Sequence, residues 1–281
     1  MLIILLLKND IKNILNNMNI IVFSKDRALQ LELFLRSFNK YVKNSNNYKI
    51  NILYTYSENI FKQGYNKLIK EYINYNFVKE NNFKLDLINL IDKNKDYTVF
   101  FVDDNIFKNK INFYDEQEKI FRNDKQILCR SLRLHNNLKR CYPANLTYTK
   151  IPKFTNVKNS LIFMWSGEQG DYGYPMSLDG HIFRTNEILP YLEKLNYRNP
   201  NSLEGIISTM PLNLPKMICY EKSIIINNPC NIVQTNNSNI HGTENVYKLN
   251  QDFLSGKRIS LDNVDGIDNI SCHQEIKIIL E

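Results

Sequence analysis

Apolar residues follow two alternating rhythms along the first 105 residues. Ile20–Phe23 is an unbroken apolar run, as in a strand buried on both faces. After the polar Ser24-Lys25-Asp26-Arg27, the residues Leu31, Phe34, Leu35 and Phe38 recur at i, i+3, i+4 and i+7. That spacing is one apolar face of a helix, and Ser24 or Asp26 is placed to cap it. The alternation repeats: a strand at Ile52–Tyr56, a helix at Phe61–Tyr75, a short strand at Phe77-Val78, a helix at Phe83–Ile91 and a strand at Tyr97–Val102. Strands alternating with helices predict an α/β fold whose central sheet is mostly parallel and flanked by helices. Ligands of such sheets bind beyond the carboxyl ends of the strands, where Ser24–Arg27 and Asp103-Asp104-Asn105 both fall.

Beyond residue 105 the pattern loosens. Strands are predicted at Ile127–Leu134 and Leu161–Trp165, and a glycine-rich loop at Gly167–Gly180. Helices are predicted at Ile182–Leu195, apart from Pro190, and at Asn199–Met210, with Asn201 or Ser202 at the start. From Pro229 onward the chain reads as loop, and the Asn-rich stretch 9–19 as a frayed helix or linker. With no repeat and no clear linker, 1–281 reads as a single domain with a less regular C-terminal half.

Composition narrows the possibilities. A chain of 281 residues buries a sizeable core. The longest apolar run, Leu2–Leu7, falls short of the roughly 20 residues of a spanning helix. Met1–Leu7 has no basic leading region, so no secretory signal is expected. The 15 Phe, 17 Tyr and 1 Trp spread along the chain exclude bulk disorder. Net charge is +7, but no block of five like charges occurs, so a nucleic-acid partner is not expected. The excess still favours anionic ligands such as nucleotide phosphates. Five cysteines, an odd number without a CxxC pair, fit free thiols in a reducing, cytoplasmic setting.

Three stretches carry candidate chemistry. Asp103-Asp104-Asn105, at the end of a buried strand, is a hard-oxygen site suited to Mg²⁺ or Mn²⁺ bridging a diphosphate; the alternative is a solvated turn. In Gly167–Gly180 the glycines allow close backbone approach to a ligand, and Trp165, Tyr172 and Tyr174 offer stacking walls for a sugar or base. Glu204 falls in the first turn of a predicted helix, either as a carboxylate complementing the helix dipole or as a general base. No GxxxxGK[ST], HExxH or GxSxG is present, which argues against a P-loop, a zincin and an esterase.

In their order, these pieces resemble the glycosyltransferases of the GT-A fold, typified by chain-building and surface-polysaccharide transferases. The resemblance runs from about residue 20 to residue 275. Ile20–Phe23 with Ser24–Arg27 is similar to the first strand and nucleotide-contacting loop, and Val102-Asp103-Asp104-Asn105 to the DxD metal motif. Gly180-His181-Ile182-Phe183-Arg184 followed by Glu187 resembles the family's glycine, Phe-Arg and helix, and Ser202-Leu203-Glu204 its acidic xED motif. The third DxD position is Asn105, and the acidic motif carries Leu203 and then Glu204 where Asp is usual.

The resemblance implies a GT-A-like domain with a nucleotide-binding half at about 20–105 and an acceptor half at about 106–281. It implies a metal-dependent transfer of sugar from a nucleotide-diphosphate donor to a hydroxyl of a glycan, lipid or protein. Ser24, Asp26, Arg27, Asp103 and Gly180 would contact the donor. Asp103, Asp104 and His273 would hold Mn²⁺ or Mg²⁺, with His241 as the rival late histidine. Glu204 would be the base of an inverting reaction, with Asp179 next in line. Two other readings stay open: a non-catalytic carbohydrate-binding or scaffolding protein with a decayed site, and a sugar nucleotidyltransferase. The latter usually carries a glycine-rich segment after its first strand, where this chain has SKDRALQ.

Overall fold

A computed structural model describes residues 17–232 and 240–281. Of the frayed helix or linker expected at 9–19, residues 9–16 lie outside the described residues, and Met18 and Asn19 belong to the first strand instead. The strands are β1 (Met18–Lys25), β2 (Ile50–Thr55), β3 (Asn76–Lys79), β4 (Tyr97–Val102), β5 (Asn105–Phe107), β6 (Ile127–Ser131), β7 (Arg140–Cys141), β8 (Leu146–Thr147), β9 (Thr155–Val157), β10 (Ser160–Met164), β11 (His181–Arg184), β12 (Lys216–Tyr220) and β13 (Ile225–Asn227). The helices are α1 (Ala28–Tyr41), α2 (Asn59–Glu71), α3 (Phe83–Leu90), α4 (Glu116–Asn123), α5 (Thr185–Lys194), α6 (Pro200–Ile207) and α7 (Val246–Leu254).

Nine strands form one sheet in the order β3-β2-β1-β4-β11-β6-β12-β10-β9. The first four are mutually parallel, and of the nine only β10 and β11 run against the rest. The expected α/β architecture, a mostly parallel sheet flanked by helices, is therefore present. One sheet draws strands from both stretches, 20–105 and 106–281.

Side-chain alternation in the central strands feeds two cores. Ile20, Val22, Val99 and Phe101 pack with α1, α2 and α7 on one face. Ile21, Phe23 and Phe100 pack with α3, α5 and α6 on the other. Burial on both faces is why β1 and β4 read as continuous apolar runs. Each large side chain so buried contributes about 1.5–3 kcal/mol relative to exposure.

Several sequence expectations need correction. The predicted helix at Ile182–Leu195 begins as strand β11, which inserts between β4 and β6 and sends Ile182 and Phe183 into opposite cores. Only from Thr185 does the chain turn helical, and α5 then runs through Pro190. Neither Ser24 nor Asp26 caps α1; Arg27 is its N-cap, with no side-chain cap bond. Asn199, not Asn201 or Ser202, caps α6, and Ser202 completes a reciprocal capping box with it. The stretch after Pro229 contains α7, and α4 and β12 were not anticipated.

Candidate active site

A cavity of about 680 Å³ opens beyond the carboxyl ends of β1 and β4. It is lined from one side by Ser24, Arg27, Asp103 and Asp104, and from the other by Asp179, Glu204 and His273. Five backbone segments therefore converge on one concavity. Pairing explains part of the convergence. Asn105 at the start of β5 pairs with Asn227 of β13, and Asn227 forms a parallel bridge with His273. Asp104 is thereby brought beside Asn227, and the C-terminal segment beside both.

Asp103 is almost fully enclosed. Its Oδ2 accepts hydrogen bonds from Ser24 Oγ at 2.8 Å and from the Lys25 backbone N–H at 3.1 Å. Its Oδ1 lies 3.1 Å from Arg27 Nη1, and the same Nη1 lies 3.3 Å from Asp104 Oδ2. The other edge of the guanidinium is anchored to Asn231: Nε donates to Oδ1 at 2.8 Å, and Nη2 donates to the backbone carbonyl. Burial opposes the guanidinium's charge, but the two carboxylates hold its pKa above the ordinary value. Burial pushes the Asp104 carboxyl up to about 7, against Arg27 and with Asp103 and Asp179.

The opposite wall carries a second charged group. Asp179 Oδ2 is 3.2 Å from His273 Nε2 and 3.5 Å from Arg133 Nη1. Arg133, buried beneath, also pairs with Asp171 at 3.3 Å. Burial disfavours the Asp179 carboxylate, yet His273 and Arg133 overcome it and hold its pKa near 2. Burial likewise disfavours the His273 imidazolium, and Asp179 raises its pKa above the ordinary value. Glu204 Oε1 accepts the Leu178 backbone N–H at 2.7 Å. Burial, and then the charge of Asp179, push Glu204 up to about 7. The surroundings of these two carboxylates thus drive their pKa values apart.

Glu204 is the fifth residue of α6, and the first turn of that helix holds no acidic residue. The helix-dipole explanation of Glu204 therefore loses its basis, because that effect is confined to the first turn. Asn105 is fully buried. Its Oδ1 accepts the Val102 N–H at 2.9 Å, and its amide binds Asn227. The third position of the acidic motif is thus a packing and turn residue.

Other expected residues lie outside the cavity lining. Asp26 takes a left-handed turn at φ 58° and accepts the Ser57 N–H at 2.7 Å, so it shapes the loop. Gly180 does not line the cavity either. It has φ +69°, its N–H donates to the Phe100 carbonyl at 2.8 Å, and a Cβ there would fall 2.2 Å from Ile225 Cδ1. Close packing, not ligand approach, accounts for this glycine. Trp165, Tyr172 and Tyr174 supply no wall: Tyr172 is buried and donates to the His135 carbonyl, and Trp165 Nε1 donates to the Leu214 carbonyl. His241, the rival of His273, also lines the cavity.

Arg133, Asn227 and Asn231 were missed by sequence reasoning. Asn227 Nδ2 lies 3.4 Å from Asp104 Oδ1. The one signal was position: Asn227 directly follows the apolar run Ile224–Ile226, as Asp103 follows Tyr97–Val102.

Among the described residues, no three His, Cys, Asp or Glu side chains are grouped so as to hold a metal ion, so the expected set of Asp103, Asp104 and His273 is not brought together, and His273 pairs with Asp179 instead. The donor set still suits a hard cation that keeps most of its shell from elsewhere. Asp104 presents carboxylate oxygen to the cavity, and Mg²⁺ is usually held by one or two carboxylates together with substrate phosphates. No described helix is long and apolar enough to cross a membrane.

Comparison with known proteins gives one curated match in sequence. Over 190 residues, 62% of this chain, it is 35% identical to the bifunctional glycosyltransferase pgtA of Dictyostelium discoideum. The chain spans about a quarter of the length of that relative, 24%. No family model matches. Among solved structures, TarS of S. aureus aligns at TM-score 0.45 and 11% identity, covering 74% of this chain and 36% of that one. A cytidylyltransferase from Leptospira borgpetersenii aligns at TM-score 0.38 and 14% identity, covering 68% and 69%. The glycosyltransferase resemblance read from the motifs is thus matched by a curated glycosyltransferase over more than half of the chain.

Proposed function

We propose that this protein transfers a sugar from a nucleotide-diphosphate donor to an acceptor hydroxyl of a glycan, lipid or protein. One observation carries the reading. A paired carboxylate–arginine cluster and a separate carboxylate of raised pKa face each other across one cavity, in a chain similar in sequence to a glycosyltransferase. The donor diphosphate lies against Ser24, Arg27 and the Asp103–Asp104 pair. Asp103 and Asp104 would hold Mn²⁺ or Mg²⁺, which would supply positive charge to offset that developing on the leaving nucleoside diphosphate.

Glu204 works on the acceptor. In an inverting transfer its carboxylate takes the hydroxyl proton as the acceptor oxygen bonds to the anomeric carbon. The bond from that carbon to the phosphate oxygen breaks, and the nucleoside diphosphate leaves with the electron pair. Asp179 stays ionised between Arg133 and His273, and its charge makes Glu204 a better base near neutral pH. The Leu178 N–H fixes the direction of the Glu204 carboxylate.

A thermal-shift screen of nucleoside diphosphates and their sugars, with and without Mn²⁺, tests the reading. A ligand that binds only the folded chain raises its melting temperature according to its affinity. The expected result is stabilisation by at least one nucleotide sugar that requires Mn²⁺ or Mg²⁺, and hydrolysis or transfer of that sugar. No stabilisation by any donor at millimolar concentration refutes it.

A further inference from the structure

Arg27 holds a position that the proposed chemistry makes contested. Its Nη1 serves Asp103 and Asp104 at once, at 3.1 and 3.3 Å. All three side chains are nearly withdrawn from water, at 10%, 5% and 12% exposure. Oxygens of the carboxylates that would hold a divalent cation are therefore already neutralised by a buried monovalent one. The remaining guanidinium edge does not share in this. Nε and Nη2 are spent on Asn231, which anchors the guanidinium beside the carboxylates by bonds independent of Nη1.

We infer that Arg27 is an internal counter-ion of the Asp103–Asp104 pair, one that a divalent cation displaces and that the donor's diphosphate then takes over. The inference rests on the donor and metal reading above. A cation alone gains two carboxylates but strands the buried guanidinium without an anion, which is unfavourable. A cation arriving with a diphosphate gives Nη1 a phosphate oxygen in exchange, a charge-assisted bond of the kind arginine makes well. Metal and nucleotide therefore bind cooperatively. Linkage requires each to tighten the other by the same factor.

The test measures Mn²⁺ uptake by the full chain as the loss of its free-ion EPR signal beyond the loss that the same nucleotides cause without protein. Wild type, Arg27→Met and Arg27→Lys are compared, without nucleotide and with an equimolar mixture of UDP, GDP, CDP and ADP. Wild type alone is expected to bind Mn²⁺ at least about tenfold more weakly than Arg27→Met, within the usual range of coupling between sites. The nucleotides should close that gap by tightening wild type. Arg27→Lys keeps the positive charge but loses the fork that grips Asn231. It should stay close to wild type, whereas a role limited to anchoring the loop would make it behave like Arg27→Met and overturn the inference. Equal Mn²⁺ affinity of wild type and Arg27→Met without nucleotide also overturns it, and leaves the metal reading standing. No Mn²⁺ uptake by either protein, with or without nucleotide, overturns both. Arg27→Gln replaces Arg27→Met if the latter does not fold.

Discussion

Replacing Glu204 by Gln separates a base from a structural carboxylate. The substitution keeps shape and leaves an amide oxygen to accept the Leu178 N–H, now 2.7 Å from Oε1. It removes only the charge. That charge lies buried near Asp179, which is why the carboxyl is pushed up to about 7. The raised pKa favours the protonated form, which Gln mimics. Folding stability should change by no more than about 0.5 kcal/mol, as for a substitution that breaks no buried bond. Glu204→Ala, by contrast, leaves the Leu178 N–H unpaired, at a cost of about 1–3 kcal/mol. Turnover behaves differently. Loss of a general base slows a reaction typically 10²–10⁴-fold, about 3–5 kcal/mol of barrier. The assay pairs melting temperature and donor affinity with the rate of transfer from a nucleotide sugar identified by the screen. Native melting, native donor affinity and at least about 100-fold lower turnover are expected. Turnover within a few-fold of wild type refutes the assignment, and so does a loss of donor affinity as large as the loss of rate.

Turnover should rise with pH through about 7 as Glu204 loses its proton, and Asp179→Asn, which removes a like charge, should move that limb to lower pH; an unmoved limb refutes the coupling. Asp179 has a folded pKa of about 2, below its ordinary 3.8, so its stabilising contribution is present above 3.8 and is lost as pH falls through 2. Acid unfolding of Asp179→Asn should show a correspondingly weaker pH dependence in that window. If His273 joins the metal shell, His273→Ala should raise the Mn²⁺ concentration for half activity while His241→Ala does not, and the reverse pattern transfers the role to His241. Gly180→Ala should lower stability by about 1–3 kcal/mol, since it combines a left-handed φ of +69° with a Cβ driven against Ile225. Donor affinity of the folded Gly180→Ala fraction should be native, and a selective loss of affinity would return Gly180 to the donor site.

Local order was legible where a segment's environment is uniform. β1 and β4 are buried on both faces, so their apolar runs announce strands whatever surrounds them, and a polar residue at the end of such a run lies at the sheet edge. Ser24, Arg27, Asp103 and Asp104 were found that way. The helical spacing of Leu31, Phe34, Leu35 and Phe38 likewise announced α1, although that helix is buried almost all round, Gln30 and Glu32 included. Tertiary structure decided the rest. His181–Arg184 becomes a strand because a gap between β4 and β6 accepts it, which no local preference encodes. Gly180 reads as a ligand-approach residue until Ile225 is found against it, and Asn105 as a third metal position until its side chain turns back on Val102. Arg27 meets Asn231 across 204 residues, and Asp179 is kept ionised by His273 and then by Arg133. Periodicity reports whether a side chain is buried. Which charge stands opposite another is set by packing between distant segments, and on that the acid–base character of this cavity depends.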